Sequence, residues 1–483
     1  MGISSKQPLS EMNPLYSPEL LNVFGDNGAL TRRNGFTSFR AFGADSLFEH
    51  VSESGTRSIV GTRGGYCYNI TSGSTDITGA ASISSNESYG VNFGGRLYLK
   101  TNDNTKDVYY WTGSGNLTAA AFTGPGGDDK ALVNILAYKS RLYFVEYNAA
   151  SLWYGTVGGL TGALVELDLT KEFTLGGYIL FAHSISSVSG DQSQEMLAIV
   201  SNMGEVLVYQ GDYPGSLAWS RVGRYFIPAP IGRKSFFTWG ADIIAITRQG
   251  VVSLLDVMNQ NARGQLVYLT DEINGLFQAE VSAAITASAA TWQFTGIVYP
   301  NGNYLVISMG LLGTMVSSVQ FVMNLQTRAW FKFQGMPASC WTLYNNDLYF
   351  GTSSDTGGGT FKANNGPIDV DMPTGINAEN MSIVIRHAYN YFGDREGVKQ
   401  FTEALPVLTI STAATTLTID SDVDFADDTP TSVTPSIAVG NAIPRCGLKG
   451  IGQCASIRIE QTVTNAIFSL KATTVRFIPG GIS

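Results

Sequence analysis

The sequence predicts an all-β protein: a β-propeller of six to eight blades, with seven favoured, followed by a smaller C-terminal β-sandwich-like module. Two observations predict the propeller, namely a repeated unit of turn and apolar strand and an even spread of 54 glycines through 483 residues. Many tight turns between short strands account for such a spread of glycine. A third observation, a shift in composition near residue 367, predicts the second module.

The repeated unit extends from about residue 58 to residue 366. A turn of Gly, Asn, Asp, Lys or Ser leads into a short apolar strand, usually with a tyrosine, and a second strand or turn follows. Clear copies begin at Gly94, Tyr138, Trp239, Pro300 and Tyr344, and weaker copies at Gly61 and Met203. The period is roughly 45 residues, which is the size of a four-stranded propeller blade and not of a helical repeat.

These patterns divide the chain into three segments. Residues 1–45 are a turn-rich N-terminal segment, in which Ser17–Val23 is the best candidate for a helix. Residues 46–367 form the propeller, and residues 368–483 form the C-terminal β module. Longer gaps between repeats, near 160–195 and 255–290, leave room for insertions, and Thr270–Ala290 is predicted to be the longest helix because its first turn is acidic.

The C-terminal module begins after a linker rich in glycine and proline. Its short segments mostly alternate apolar with polar residues at a period of two, which favours a two-sheet sandwich. The predicted strands are Ile383–Tyr391, Leu405–Ile410, Leu417–Phe425, Ser456–Glu460, Ala466–Leu470 and Thr474–Ile478.

The chain is poor in charge. Charged residues make up 14% of it, whereas an ordinary soluble domain has about 25%. Such a chain suits a protein whose surface is largely buried against other subunits, although a stable all-β monomer is an alternative. The net charge of −9 argues against a general nucleic-acid binder. It is compatible with a passage through which DNA slides without binding.

The cysteines and the N-terminus predict synthesis and assembly in a cytoplasm. Cys446 and Cys454 could pair across a hairpin, but free thiols in a reducing compartment are the favoured interpretation for these two and for Cys67 and Cys340. The N-terminus lacks the apolar core of a signal peptide. No apolar run approaches 18 residues, so no membrane-spanning helix is expected.

The usual signatures of catalysis and cofactor binding are missing. The three histidines, His50, His183 and His387, are widely separated, and the sequence has no HExxH, CxxC or GxSxG motif. It also lacks a phosphate-binding loop of the GxxxxGK[ST] type. The sequence therefore predicts no catalytic residue and no cofactor, and a protein that is not an enzyme.

An acidic strand provides the clearest candidate site. It contains Asp420, Asp422, Asp424, Asp427 and Asp428 within TLTIDSDVDFADD. Asp at every second position is similar to the start of a calcium loop, but that pattern requires Gly at its sixth position and Glu at its twelfth. This chain has Phe425 and Thr431 there. We therefore expect an acidic face towards solvent or a channel, with Asp420, Asp422 and Asp424 as a weak candidate for a cation site.

Two further patterns are local. Ser353–Phe361 nearly matches the Asp box of sialidase-like propellers, but the aromatic residue comes one position too late, so a glycine-rich hairpin is the simpler interpretation. Arg32, Arg33, Arg395 and Lys399 are too few and too dispersed for a phosphate-binding stripe. They are instead candidates for contacts with acidic patches on a neighbouring subunit, and solvated surface charge is the alternative.

Several segments resemble proteins of the tails of short-tailed bacteriophages. Leu207–Leu254 and Val319–Thr352 are similar to stretches of such proteins, and the motif from Asn22 to Phe36 resembles the opening of tail nozzle and tail hub proteins. Ala388–Pro406 and the closing Arg476–Gly481 agree with the same family. These segments cover about half of the chain and touch both modules, and their order carries the resemblance.

The resemblance implies a structural virion protein. Its relatives form a ring of six copies below the portal and adaptor proteins, and the ring continues a DNA channel that retains the genome and releases it at ejection. Because this chain is shorter than the longest nozzles, attachment of a tail fibre or spike stays open. The alternatives are a propeller that binds or cleaves glycans during receptor recognition and a cellular propeller that serves as an interaction platform.

Overall fold

The prediction of an all-β protein is confirmed. The structure, a computed structural model, describes the chain except for residues 1, 27, 84–86, 190–191, 261–265, 288–292, 311–317, 354–357, 371–377, 427–433, 435, 464 and 481–483. Strands account for 51% of the chain and helices for 7%.

The first four blades of the predicted propeller are four-stranded antiparallel sheets that follow one another along the chain. In order from the innermost to the outermost strand, they are blade 1 (Ser46–Val51, Arg57–Arg63, Tyr66–Asn69, Thr75–Asp76), blade 2 (Ser88–Phe93, Arg96–Thr101, Tyr109–Trp111, Thr118–Ala119), blade 3 (Leu132–Tyr138, Arg141–Glu146, Ser151–Tyr154, Val165–Asp168) and blade 4 (Ile179–Ser189, Gln192–Ser201, Glu205–Gln210, Ser220–Phe226).

Three more sheets complete the ring in the described part of the chain. Blade 5 has three strands, whereas blades 6 and 7 have four, so the propeller contains six four-stranded blades and one three-stranded sheet, within the predicted range. The strands are Phe236–Trp239, Asp242–Ile246 and Val251–Ser253 in blade 5; Phe294–Tyr299, Tyr304–Met309, Val319–Asn324 and Trp330–Gln334 in blade 6; and Cys340–Tyr344, Asp347–Gly351, Thr360–Lys362 and Thr37–Arg40 in blade 7.

The N-terminal segment closes the ring. Its strand Thr37–Arg40 pairs antiparallel with Thr360–Lys362 and so becomes the outermost strand of blade 7. The innermost strand of blade 7, Cys340–Tyr344, then contacts that of blade 1, Ser46–Val51. The first and last parts of the propeller are thus held together by backbone hydrogen bonds.

In the described part of the chain, five of the seven junctions between neighbouring blades have their own apolar core, whereas the junctions of blades 5 and 6 and of blades 6 and 7 share one continuous core with the C-terminal module. At the junction of blades 4 and 5, for example, the rings of Phe181 and Phe236 stack with their centroids 4.1 Å apart. Phe181 is fully buried with Ala198, Val208 and Ile243 around it. Burial of one such side chain stabilises the fold by about 1.5–3 kcal/mol. Alternating apolar positions on the strands therefore determine how the blades pack.

The insertion between blades 5 and 6 is helical, as predicted. Helix α1 covers Leu254–Gln260, a 3-10 turn covers Asp271–Ile273, and helix α2 covers Asn274–Ala287. Phe277 and Val281 lie one turn apart on α2 and are buried against blade 6. The last three residues of the predicted helix Thr270–Ala290 lie outside the described residues. Short 3-10 turns also occur at Pro125–Gly127 and Pro300–Gly302.

The C-terminal module consists of two sheets that share a core, as the sandwich prediction requires. One sheet is continuous with blade 6. Beyond Trp330–Gln334, the outermost strand of that blade, it continues with Glu19–Leu21, Met381–Arg386, Ala455–Val463 and Thr418–Val423. The other contains Val23–Asp26, Ala29–Arg32, Ile467–Pro479, Lys399–Ser411, Gly440–Ala442, Cys446–Gly447 and Ile451–Gly452. The proposed boundary at residue 367 stays a prediction, and one sheet spans both sides of it.

The prediction of a helix at Ser17–Val23 is wrong, because this segment is extended. Glu19–Leu21 lies between blade 6, to which it is parallel, and Met381–Arg386, to which it is antiparallel. Leu20 is buried, and Asn22 has a φ of 55°, which a right-handed helix does not tolerate. Burial between two modules therefore overrides the weak local preference for a helix.

The remaining described strands form short pairs, and the cysteines are unpaired. The pairs are Gly2–Ile3 with Tyr16–Ser17, Phe122–Thr123 with Gly162–Ala163, and Asp369–Val370 with Ala378–Glu379. All four cysteines are buried free thiols. No helix among the described residues is long and apolar enough to cross a membrane.

Candidate functional site

The acidic strand does not form the exposed face that its sequence predicts. Asp422 is buried and forms an ion pair of 2.8 Å with Arg386 on the next strand but one. Asp420 lies opposite Arg458, which is itself opposite Arg386, so arginines accompany the acids across the sheet. The register of the strands, which sequence spacing does not reveal, places these counterions there.

The other acids do not complete a cation site. Asp424 is exposed, and its Oδ1 accepts hydrogen bonds from the amides of Gln453 (2.8 Å) and Cys454 (3.1 Å). In the part of the chain that the structure describes, no three His, Cys, Asp or Glu side chains are grouped to hold a metal ion. Asp427 and Asp428 lie outside the described residues, as do positions 354–357 of the near Asp box.

Three of the four basic candidates are buried within the chain instead of lying at its surface. Arg32 donates from Nη1 to the Ala466 carbonyl at 2.6 Å, and burial lowers its pKa to about 10. Arg33 forms a buried ion pair with Asp369. Long-range pairing brings these partners together. The local sequence could not reveal it and suggested contacts with a neighbouring subunit, or solvated surface charge, instead.

Lys399 and Arg395 differ in their exposure. Lys399 is buried, and its Nζ donates to the carbonyls of Asp394, Gly397 and Gln453. It therefore shares with Asp424 the task of holding the loop at Gln453. Arg395 is exposed, lies over the Tyr391 ring at 4.7 Å, and remains a candidate for a subunit contact.

A polar cluster at the centre of the propeller was not predicted. It lies where the innermost strands begin, and we define the central cluster as Asp45, Ser46, Glu87, Tyr89, Arg233, Lys234 and Cys340. These residues come from blades 1, 2, 5 and 7 or from the segments leading into them. The topology therefore brings together groups that are far apart in the sequence.

Lys234 is the residue that spans the centre. It precedes blade 5, yet its Nζ donates to Ser46 Oγ in blade 1 at 2.6 Å, although blades 6 and 7 separate the two. Its Nζ also lies 5.6 Å from the centroid of the Tyr89 ring in blade 2. The Lys234 side chain thus connects blade 5 to blade 1.

The charges of two carboxyl groups, Glu87 and Asp45, act on this amine. Glu87 accepts hydrogen bonds from the Tyr89 hydroxyl and, at 2.9 Å, from Asn102 Nδ2. Asp45 is 5% exposed, and its amide donates to the Thr62 carbonyl at 2.8 Å. The Asp45 carboxyl accepts hydrogen bonds from Ser353 and Gly64, whereas Ser46, the next residue, contacts the Lys234 amine.

Burial moves the pKa values of the amine and of one acid in opposite directions. It lowers the pKa of Lys234, against the opposing charges of Glu87, Cys340 and Asp45. It raises the pKa of Asp45, although hydrogen bonds from Ser353 and Gly64 and the charges of Arg63 and Lys234 oppose the change. Removal from water disfavours the charged form of both groups.

The neighbouring thiol and phenol stay protonated at neutral pH. Burial raises the pKa of Cys340 to about 12, and burial together with the charge of Glu87 raises that of Tyr89 well above its ordinary value. A thiolate or phenolate nucleophile requires the opposite change. Neither group is therefore activated as a nucleophile by this environment.

Arg233 holds the segment that carries Lys234. Its Nη1 donates to the carbonyls of Ile179 (3.0 Å) and Leu180 (3.2 Å), and its Nη2 donates to Asn148 Oδ1 at 3.1 Å. Ser235, the residue after Lys234, is fully buried, and its Oγ has no hydrogen-bond partner among the described residues. Polar atoms of this kind often lie beside water or ligand sites.

A separate cavity of about 540 Å³ lies at the C-terminal module, against the hairpin of residues 25–30. His387 lines it, donates from Nδ1 to the Ile457 carbonyl at 2.9 Å, and has Nε2 3.4 Å from Thr473 Oγ1. Burial lowers the pKa of His387, so its Nε2 is an acceptor at neutral pH.

Comparisons with known proteins do not assign a family. The sequence matches no protein-family model and no curated protein. Among solved structures, it is similar to a protein described as a 6-phosphogluconolactonase from Bacteroides uniformis, with 13% identity, a TM-score of 0.38, and coverage of 65% of this chain and 91% of that one. The designed protein Ika8 has 10% identity and a TM-score of 0.34, with coverage of 72% of this chain and 96% of that one. An exo-β-1,3-galactanase from Phanerochaete chrysosporium has 12% identity and a TM-score of 0.28, with coverage of 81% of this chain and 99% of that one. Similarity at this level supports no inference about activity.

Proposed function

We propose that this protein is a structural component of the tail of a short-tailed bacteriophage. In this proposal six copies form a nozzle or hub ring below the portal and adaptor proteins. The ring continues the DNA channel, retains the genome in the mature virion and lets it pass at ejection. The role requires no catalysis and no sequence-specific binding of DNA, and its place would be the virion tail after assembly in the host cytoplasm.

One observation carries the proposal: a single sheet joins the propeller to the C-terminal module. Glu19–Leu21 connects Trp330–Gln334 of blade 6 to Met381–Arg386, and Asn22 extends the connection. The Asn22 amide donates to the Lys332 carbonyl at 2.9 Å, and its Nδ2 donates to the Ser382 carbonyl at 2.8 Å. Relative motion of the modules would break these hydrogen bonds, and a rigid subunit suits the wall of a channel under load.

The centre of the propeller favours a channel formed between subunits. Because Lys234 before blade 5 donates to Ser46 in blade 1, a passage for duplex DNA through the blades would first require this contact to break. A ring of subunits avoids that requirement. Its contacts would each bury on the order of 1,600 Å², which agrees with a chain that is only 14% charged.

The experiment is to determine the oligomeric state of the purified chain and then to image the assembly. Mass photometry over a range of concentrations should show hexamers, and electron cryomicroscopy should show a ring with an axial channel. A matched variant, Arg395→Glu, reverses the exposed charge next to Tyr391 and should weaken assembly without changing the fold. A monomer at every concentration, alone and with the adaptor protein of the same virion, would contradict the proposed ring.

One contact favours the alternative, a propeller that binds or cleaves glycans. A sialidase-like site requires a Tyr/Glu pair in the central funnel, and the Tyr89 hydroxyl donates to Glu87 there. However, Tyr89 is 7% exposed and its raised pKa disfavours the phenolate. A glycan array and a hydrolysis assay on aryl sialosides, with Tyr89→Phe as control, distinguish the two functions, because the ring proposal expects neither binding nor turnover.

A further inference from the structure

The second sheet of the C-terminal module leaves one strand edge open. On one side, Ile467–Pro479 pairs with Lys399–Ser411 along its length. On the other side it pairs with Ala29–Arg32, but only near its start. Among the described residues, the stretch Ala472–Ile478 therefore has no strand neighbour on that side. An open edge of this length presents unpaired backbone groups to which another strand can be added.

Two hydrogen bonds show which backbone groups face the open edge. The Gly480 amide donates to the Val398 carbonyl at 2.7 Å, and the Arg476 carbonyl accepts from Thr402 Oγ1 at 3.1 Å. Since the backbone groups of successive residues point to opposite sides of a strand, the even-numbered residues of this stretch face the paired strand. The amides and carbonyls that face the open edge consequently belong to Thr473, Val475 and Phe477.

A hairpin and a cavity lie at one end of this edge. The hairpin formed by Val23–Asp26 and Ala29–Arg32 turns at Gly28, which has a φ of 77°, so its backbone goes no further along the edge. The cavity of about 540 Å³ lies at this point, between the hairpin and residues 470–473. An antiparallel strand added to Ala472–Ile478 runs towards the cavity, so the C-terminal end of the added chain lies there.

Lys471 supplies a positive charge at the cavity. It is the extra residue of a β-bulge, because the register of Ile467–Pro479 against its neighbour shifts at this position. Its side chain is exposed and lines the cavity, and no Asp or Glu of the described residues lines it as well. Gln326 and Thr473, which can each donate a hydrogen bond, line the same space. These groups together are complementary to a carboxylate.

We propose that Ala472–Ile478 binds the C-terminal tail of another polypeptide as an added antiparallel strand, with the terminal carboxylate of the tail beside Lys471. The outward-facing backbone groups hold the tail, and the half-buried side chains of Val475 and Phe477 contact its alternate residues. A chain end is favoured over an internal segment because a continuing chain would meet the turn at Gly28. The inference does not depend on the proposed ring.

The test uses the full chain and a synthetic array of random peptides with free C-termini, each seven residues long like the stretch Ala472–Ile478. Fluorescence anisotropy then measures the affinity of the peptide that binds best. Amidation of its C-terminus should weaken binding about fivefold, because the charged contact with a partly exposed lysine is lost. Lys471→Gln should weaken binding of the free acid by the same factor and leave that of the amide unchanged. Lys449→Gln, at an exposed lysine of the same module, is the matched control and should change neither.

Backbone methylation of the peptide tests the strand pairing without altering the protein. Methyl groups on the alternate amides that donate to Thr473, Val475 and Phe477 should abolish binding, whereas methylation of the other amides should not. Val475→Pro should also weaken binding and should keep a melting temperature close to that of the wild type, since the amide it removes faces the open edge.

Three results would each overturn the proposal. The first is equal binding of the two methylated peptides. The second is an array in which no peptide binds the wild type better than it binds Lys471→Gln. The third is conversion of a wild-type oligomer into monomers by Val475→Pro, because a second copy of this chain then occupies the edge.

Discussion

The ion pair of Arg33 and Asp369 is the sharpest test of how the two modules are joined. The interaction is bidentate: Arg33 Nη1 donates to Asp369 Oδ1 at 2.9 Å, and Arg33 Nη2 donates to Asp369 Oδ2 at 2.5 Å. The three remaining N–H groups donate to Asn22 Oδ1, the Asn34 carbonyl and the Gln334 carbonyl. All five donors of the guanidinium are therefore used inside the protein.

Arg33→Met should destabilise the protein by about 3–5 kcal/mol, because the Asp369 carboxylate stays buried without its counterion. The side chains of Arg33 and Asp369 are only 2% and 7% exposed, so the carboxylate left behind is largely removed from bulk solvent. Arg33→Met combined with Asp369→Leu should cost less than Arg33→Met alone, since no unpaired charge remains. Arg57→Met is the matched control: its pair with Glu49 is exposed and should contribute about 0–1 kcal/mol.

Urea titration followed by tryptophan fluorescence provides the free energies of unfolding for the four proteins. Hydrogen exchange adds a local measurement, because the amide of Gln334 donates to Asn22 Oδ1 and should lose protection in Arg33→Met. The reasoning is wrong if Arg33→Met and Arg57→Met destabilise equally, or if the double variant is less stable than Arg33→Met.

Three further predictions concern buried charges. Burial would raise the pKa of Glu205, but hydrogen bonds from the Thr174 and Leu175 amides and the charge of Arg224 lower it overall. The contribution of Glu205 to folding stability is therefore present above pH 4.5 and is lost as pH falls through the pKa of the folded state. The melting temperatures of Glu205→Gln and wild type should accordingly converge in acid. The pKa of Lys100 is lowered by burial from 10.5 to about 8, so wild type should gain stability as pH rises between these values, whereas Lys100→Met should show no such gain in thermal melts. Asp422→Ala, which removes the carboxylate paired with Arg386 at 2.8 Å, should cost about 3–5 kcal/mol in urea titrations, although Arg386 keeps its hydrogen bond to the Tyr389 hydroxyl. A cost below about 1 kcal/mol would contradict the buried pair.

Local patterns were sufficient to predict the propeller. The repeats at Gly94, Tyr138 and Tyr344 coincide with the turns between the first two strands of blades 2, 3 and 7. A turn followed by an apolar strand is a short-range preference, so it survives in any context that buries the strand. The helix at Ser17–Val23 failed for the opposite reason, since its extended form depends on partners more than 300 residues away.

The central cluster was beyond such patterns. Charged residues do precede several innermost strands, with Asp45, Glu87 and Lys234 among them, and aligning the repeats on those strands would have shown this. That alignment still does not indicate which charges meet, because the contact of Lys234 with Ser46 depends on closure of the whole ring.

The sequence by itself determined the all-β class, the size of the repeat and the presence of a second β module, because turn and strand preferences act over a few residues. Only the tertiary structure decided which charges are buried and paired. Arg33 with Asp369, Arg386 with Asp422 and Lys234 with Ser46 are each set by strand register or ring closure. Long-range pairing creates these environments, and burial then makes a charge that lacks its partner costly.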